Sequence, residues 1–385
     1  MGTRLFLEGR SRGSIIPHVQ PKILFYQRSL AGGGAERVLV TLANNFAQQG
    51  AEVLMAVMSP PLTYAAELDS RVRLINLDTR RYAVGGLRLA RLLRVERPVT
   101  LLSTLSGINF WAVQAKRLAR VPVRVVLRET NTPTEVIKTR RRLKDQLRIQ
   151  LFVQHAYPHA DAVITPSRGV RDVLVQLTGI SETRVHVIYN PAITSRFDAL
   201  RKEPVEHPWF ADGAPPVILG VGRLYAQKGF DILIRAVARV VQRTPVRLLI
   251  LGEGIARGEL ESLVRTLGLE EIVAMPGFDQ NPFRYMARAG VFVLSSRYEG
   301  MPNALIQALA CGCRIVSTDC PSGPREVLDE GRYGRLVPVD DVEAMSSAIL
   351  DALADAPPQV PDSWLDQFRE TNVFRQYRQV LLEAV

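Results

Sequence analysis

Residues 291–326 read VFVLSSRYEGMPNALIQALACGCRIVSTDCPSGPRE, and this stretch decides the fold. Its first six residues are an apolar run ending on two serines, suited to a parallel strand buried on both faces. Residues 297–302 make a loop carrying Glu299, Gly300 and Pro302, and the spacing predicts a helix over residues 303–310. A second apolar run at 315–317 and a Pro/Gly-rich loop complete the unit. Backbone N–H groups at such a helix start lack intrahelical partners and sit at the positive end of the dipole. They suit a phosphate, and Glu299 beside them is placed to accept hydrogen bonds from hydroxyl groups. A sugar carried on a diphosphate needs both.

The same alternation of strand and helix runs outward in both directions, which predicts an α/β chain with parallel sheets. Strands are expected near residues 22–27, 52–57, 99–104, 123–128, 162–165 and 185–188. A second set is expected near 217–221, 247–251, 272–275, 291–296, 315–317 and 335–337. At 385 residues the chain exceeds the usual single core, so two domains are expected. The polar, Pro-containing stretch 198–216 reads as the linker between them. Residues 1–20 are too polar for a secretory apolar core and read as a tail. No run approaches 18 consecutive apolar residues, so no transmembrane helix is expected. Cys311, Cys313 and Cys320 fit no zinc spacing, and a reduced cytosolic protein is the simplest reading.

Other motifs recur just beyond predicted strands, where ligands bind in such sheets. Gly32-Gly33-Gly34-Ala35-Glu36-Arg37 follows the first strand, and Asn190-Pro191 closes the first half. Gly222-Arg223-Leu224 precedes Gln227-Lys228-Gly229, and Gly252-Glu253-Gly254 and Pro276-Gly277-Phe278 follow later strands. The triple glycine is not a dinucleotide fingerprint, because Arg37 stands where a third small residue belongs. Together these motifs, and Glu299-Gly300-Met301-Pro302-Asn303-Ala304-Leu305-Ile306-Gln307-Ala308 above all, resemble the retaining glycosyltransferases of family GT4. The family signature is two glutamates separated by seven residues, within an EGxPxxLxEAxAxG context. Gln307 here replaces the second glutamate. The resemblance covers roughly residues 21–385.

The resemblance implies the GT-B fold, two Rossmann-like doubly wound parallel-sheet domains facing across a cleft. On that reading residues 21–197 form the acceptor domain and 198–362 the nucleotide-sugar donor domain. Residues 363–385 form a C-terminal helix crossing back to the first domain. It assigns Arg223 and Lys228 to the diphosphate, as a bidentate fork and a mobile point charge, and Glu299 to the sugar hydroxyls. Lys228→Ala is accordingly expected to abolish transfer with little change in melting temperature. Gly33, Gly34, Gly222, Phe278, Gly300, Met301, Pro302, Asn303 and Gln307 are expected to line the donor site, with a UDP-sugar favoured over a GDP-sugar. A neutral Gln307 can still accept one hydrogen bond and donate another to the ribose. The family implies no metal, and Asp340-Asp341 lacks the flanks of a metal-binding pair. The five histidines show no metal or triad spacing.

Charge is divided unevenly. Residues 1–195 hold 28 Lys and Arg against 13 Asp and Glu, a net of +15, whereas residues 196–385 are net −4. The densest piece, from Lys138 through Arg140, Arg141 and Arg142 to Arg148, is expected to be one basic helix, with Leu143, Leu147 and Leu151 four apart. An anionic membrane attracts each nearby basic residue by about 1 kcal/mol. This predicts docking of the first domain on the cytoplasmic face of the inner membrane. Arg128-Glu129-Thr130-Asn131 resembles a segment of lipopolysaccharide and capsule transferases, and Glu129 and Asn131 are expected on the acceptor side. The resulting expectation is transfer of a hexose or N-acetylhexosamine to a lipid-linked surface-polysaccharide intermediate. The alternatives are a catalytically weak sugar-nucleotide-binding protein, with Gln307 as its mark, and a GT-B sugar-nucleotide epimerase. The basic stretch lacks interleaved aromatics, which argues against nucleic acid.

Overall fold

The computed structural model describes residues 20–31, 33–138 and 142–382. Two sheets organise them. Strands β1 (Lys22–Gln27), β2 (Glu52–Val57), β3 (Val72–Asn76), β4 (Thr100–Thr104), β5 (Arg124–Arg128), β6 (Ala162–Thr165) and β7 (Val185–Val187) form one. Strands β8 (Val217–Val221), β9 (Arg247–Leu251), β10 (Val273–Gly277), β11 (Val291–Leu294), β12 (Ile315–Thr318) and β13 (Arg335–Val337) form the other. Their orders are β3-β2-β1-β4-β5-β6-β7 and β10-β9-β8-β11-β12-β13, and every pairing is parallel. In each sheet the order reverses beside its first strand, which is where doubly wound sheets open a crevice at their carboxyl ends.

Burial on both faces explains the continuous apolar runs. In β1, Ile23 and Phe25 enter one core cluster while Leu24 and Tyr26 enter the other. In β9, Leu248 and Ile250 face one layer and Leu249 and Leu251 the opposite one. β3 was not expected. It is an edge strand whose sequence, VRLIN, is only partly buried, and Arg73 breaks the apolar run.

Two segments at the joins are shaped differently from expectation. The stretch 198–216 is packed: a one-turn helix, Phe197–Leu200, buries Phe197 in the second core, where Trp209 and Phe210 also lean. The basic stretch is not one helix. The helix Pro133–Lys138 ends at Lys138, and a new helix, Leu143–Ala156, starts after Arg142, whose extended φ of −103° and ψ of 127° break the path. Several like charges on one short helix would repel one another. Arg140 and Arg141, Gly32 and most of the expected N-terminal tail lie outside the described residues.

The helix Glu370–Leu382 places Val373, Phe374, Tyr377, Val380 and Leu381 in the first sheet's core. It is tied down by Thr100 Oγ1, which donates to the Leu381 carbonyl at 2.6 Å, and by Arg124 Nε, which donates to that of Val380 at 3.1 Å. The two segments that connect the sheets run side by side. Ile193 N–H donates to the Phe368 carbonyl at 3.1 Å, and Glu370 N–H to that of Ile193 at 3.0 Å. Among the described residues, no helix is long and apolar enough to cross a membrane.

Candidate active site

The carboxyl ends of the two sheets meet at a tight seam. Gly300, after β11, lies so close to the loop after β5 that a Cβ on it would come within 2.1 Å of the Thr130 carbonyl oxygen. Thr132 Oγ1 lies 3.2 Å from both the Glu299 carbonyl and the Ser322 hydroxyl. Farther along, Glu326 of the second domain accepts from the backbone N–H groups of Arg168 (3.0 Å) and Gly169 (3.1 Å). These open the helix Arg168–Thr178, so a carboxylate from one domain complements a helix start of the other.

Lys228 and Glu299 meet on the second-domain side of this seam. The loop of Lys228 is sewn onto the loop after β11. Ser295 Oγ donates to the Lys228 carbonyl (2.8 Å), Gln227 Nε2 to that of Tyr298 (2.8 Å), and Arg297 N–H to that of Gln227 (2.8 Å). Gly229 is required there, because its φ is +61° and a Cβ would lie 2.0 Å from the Ser295 carbonyl oxygen. Lys228 Nζ therefore lands 2.6 Å from Glu299 Oε1, to which Ser296 Oγ also donates at 2.7 Å. Both side chains are largely shielded, 17% and 7% exposed.

Four residues beyond Glu299 the helix Asn303–Ala310 begins, and no side chain caps it. Its first residue, Asn303, accepts on Oδ1 from Asn190 Nδ2 at 2.7 Å. Gly33 precedes the helix Gly34–Gln48 of the first domain, and a Cβ on Gly34 would lie 3.5 Å from Asn303 Nδ2. The glycine turn and the helix start thus meet across the seam. Met301 and Pro302 are buried beside them. Gly222 lies against the Lys228 stem, within 3.2 Å of Cε for an added Cβ. Arg223 is exposed and stacks over Tyr225, 5.2 Å from its ring centre, and Phe278 is 61% exposed. Neither has a hydrogen bond or ion pair to Lys228 or Glu299 among the described residues. Gln307, one turn into the helix, donates from Nε2 to the Ala192 carbonyl at 3.3 Å, so its amide holds the crossing segment.

On the first-domain side, Glu129 is 2% exposed. It accepts from the Tyr157 hydroxyl, from Ser106 Oγ (3.2 Å) and from the Thr130 N–H (2.8 Å). Burial pushes its pKa up, against the pull of these hydrogen bonds. Burial and the adjacent carboxylate push Tyr157 up as well. Asn131 packs against Gly300. Arg142 is exposed, as are Lys144 and Arg148 on the helix it precedes. The three cysteines are free thiols, and burial pushes Cys311 and Cys320 up to about 12. Sequence reasoning gave no role to Ser296, Thr132, Tyr157 or Glu326. Only Ser296, beside the loop of Glu299, carried a local signal.

Known proteins resemble this chain in sequence and in fold. Residues 32–196 match the family model described as Glycosyltransferase Family 4, and residues 215–355 match Glycosyl transferases group 1. The N-acetylgalactosamine-N,N'-diacetylbacillosaminyl-diphospho-undecaprenol 4-alpha-N-acetylgalactosaminyltransferase of Campylobacter jejuni is 32% identical over 345 residues, covering 87% of this chain and 90% of that one. The lipopolysaccharide core biosynthesis glycosyltransferase LpsE of Rhizobium meliloti is 28% identical, covering 84% and 86%. Among solved structures, Anabaena HepE in complex with UDP and glucose superposes with a TM-score of 0.75 at 20% identity, covering 95% of this chain and all of that one. The fold is GT-B, and the chain belongs to the group 1, family 4 glycosyltransferases.

Proposed function

We propose that this enzyme transfers a hexose or N-acetylhexosamine from a nucleoside-diphosphate sugar, UDP-linked in preference to GDP-linked, to a lipid-linked surface-polysaccharide intermediate. The observation that carries this reading is the Lys228–Glu299 pair beside the uncapped start of the helix Asn303–Ala310. The names of the Campylobacter and Rhizobium relatives, which act on a diphospho-undecaprenol-linked glycan and on lipopolysaccharide core, support the acceptor class. Residues 21–197 would hold the acceptor and 198–362 the donor, with the last helix returning to the first domain.

In the proposed reaction the helix N–H groups, Lys228 and Arg223 bind the diphosphate. An ammonium has three donors, so Lys228 can hold a phosphate oxygen without releasing Glu299. Glu299 orients the sugar through its hydroxyls. The bond from the anomeric carbon to the β-phosphate oxygen breaks, and the acceptor oxygen forms its bond on the same face, retaining configuration. The acceptor proton passes to the departing phosphate. Lys228 and Arg223 supply the cationic charge that the leaving diphosphate requires, so the reading needs no metal.

A thermal-shift panel of UDP, GDP and ADP against wild type and Gln307→Glu tests the donor site. A nucleotide at about 100 times its dissociation constant adds about 2.7 kcal/mol. UDP is expected to stabilise both proteins. Gln307→Glu is expected to melt lower without nucleotide, because a carboxylate cannot donate to the Ala192 carbonyl. Stabilisation of neither protein by any nucleotide would overturn the reading.

The acceptor's lipid implies a membrane surface. Leu143, Leu147 and Leu151 are 68%, 51% and 52% exposed on a helix that also carries exposed Lys144 and Arg148 and is preceded by exposed Lys138 and Arg142. This supports a peripheral position on the cytoplasmic face of the inner membrane. Reversing Arg142, Lys144 and Arg148 to Glu is expected to weaken binding to anionic vesicles by at least on the order of a hundredfold, from the loss of about 1 kcal/mol of attraction per residue alone. Unchanged co-sedimentation would sink the docking surface.

A further inference from the structure

A donor-only cation lies at the foot of a chain of amides that ends at the donor site. Arg128, the last residue of β5, is 1% exposed, and none of the ion pairs among the described residues includes it. Its Nε donates to the Tyr377 hydroxyl at 2.9 Å and its Nη2 to Asn190 Oδ1 at 2.6 Å, while Nη1 finds no partner among the described residues. Asn190 Nδ2 donates in turn to Asn303 Oδ1.

The polarity of this chain is set from one end. A guanidinium has five donors and no acceptor. Asn190 must therefore turn its oxygen toward Arg128, which leaves its NH2 facing Asn303. Asn303 must then accept with its oxygen, and its own NH2 is left on the side of Gly34. The two ends of an amide are close in size, so packing alone does not choose between them. A diphosphate at the start of this helix would be repelled by the oxygen and bound by the NH2.

We propose that Arg128 is a positioning residue that, through Asn190, turns the Asn303 amide so that its N–H donors face the diphosphate. This rests on the donor-site reading above. In the simpler alternative Arg128 only clamps Tyr377 and the last helix onto β5.

Calorimetric titration of UDP into wild type, Asn190→Asp, Asn303→Ala and the double variant separates these. Asn190→Asp keeps an acceptor for Arg128 but has no donor for Asn303, which must turn its NH2 inward. UDP affinity is expected to fall on the order of tenfold or more, as for a lost hydrogen bond to a charged group, while the melting temperature holds. In the Asn303→Ala background, with no amide left to turn, the same change should cost less than about threefold. An equal penalty in both backgrounds would mean plain charge repulsion and overturn the relay.

Should Asn190→Asp not fold, two variants of Arg128 itself decide. Arg128→Lys, still donor-only, should keep UDP affinity, whereas Arg128→Gln, which can accept as well as donate, should lose it. Equal affinity in the two would overturn the relay. Asn303→Ala binding UDP like wild type would overturn the relay and leave the donor site standing. A wild type that binds none of UDP, GDP and ADP would overturn both.

Discussion

Two carboxylates, one from each sheet, end up buried at the same seam in opposite electrical settings. Glu299 follows β11 and meets the Lys228 ammonium at 2.6 Å, with Ser296 Oγ beside it. Glu129 follows β5 and meets only hydroxyls and backbone N–H groups, with no cation in an ion pair to it among the described residues. A buried charge needs a counter-charge or must shift its proton equilibrium. The second-domain side takes the first route and the first-domain side the second. The fold therefore sets a compensated pair where a diphosphate sugar would be gripped. Opposite it stands a carboxyl whose proton is held more tightly than in the unfolded chain.

Removing Lys228 breaks that contrast most severely. Lys228→Ala is expected to lower transfer by roughly a hundred- to a thousandfold, the usual loss for one donor at a developing charge. The sequence suggested an unchanged melting temperature, but the structure predicts otherwise. Glu299 is left buried and unpaired, and breaking such a pair costs about 3 kcal/mol. Lys228→Ala combined with Glu299→Gln should regain most of that stability and none of the transfer. Denaturant unfolding of the three proteins, run beside a turnover assay, checks this. A single variant as stable as wild type would show that water reaches Glu299, and the two carboxylates would no longer differ in kind.

Local patterns carried the frame of the molecule. Residues 22–27, 52–57, 162–165, 217–221, 247–251 and 335–337 form strands at the bounds expected, and Asn303–Ala310 is the helix expected. All these strands but the edge strand 335–337 are largely buried, and such strands leave a nearly unbroken apolar run that can be read from the chain. β3 was missed because Arg73 interrupts its half-solvated apolar run, whereas in the edge strand 335–337 the arginine stands only at the start. Which side chains meet was much less legible. Lys228 and Glu299 are 71 residues apart and Asn190 and Asn303 are 113 apart, and each meeting depends on strand order or domain docking. Family likeness placed Lys228 and Glu299 at one site, but not their mutual ion pair. It gave no hint that Gln307 would bond to the crossing segment at Ala192, or that Glu129 would be sealed in by Tyr157 and Ser106.

The smaller effect tests the other half of the comparison. Below pH about 4.5, Glu129 carries its proton in the folded and the unfolded chain alike. As pH rises past that value the unfolded chain releases the proton, while the folded chain keeps it until its raised pKa is reached. The folded state then binds more protons than the unfolded one, so stability from this group is lost across that window, by up to about 1.4 kcal/mol per pH unit. Above the folded pKa the loss levels off. Glu129→Gln cannot titrate and should lack this component of the slope, whatever its absolute stability. The measurement is unfolding free energy against pH for the two proteins, compared as slopes. A wild-type curve that falls away from the variant upward from pH 4.5 supports a carboxyl held protonated by burial. Parallel curves would mean that Tyr157, Ser106 and the Thr130 N–H offset burial fully. Glu129 would then be as well compensated by neutral donors as Glu299 is by its lysine.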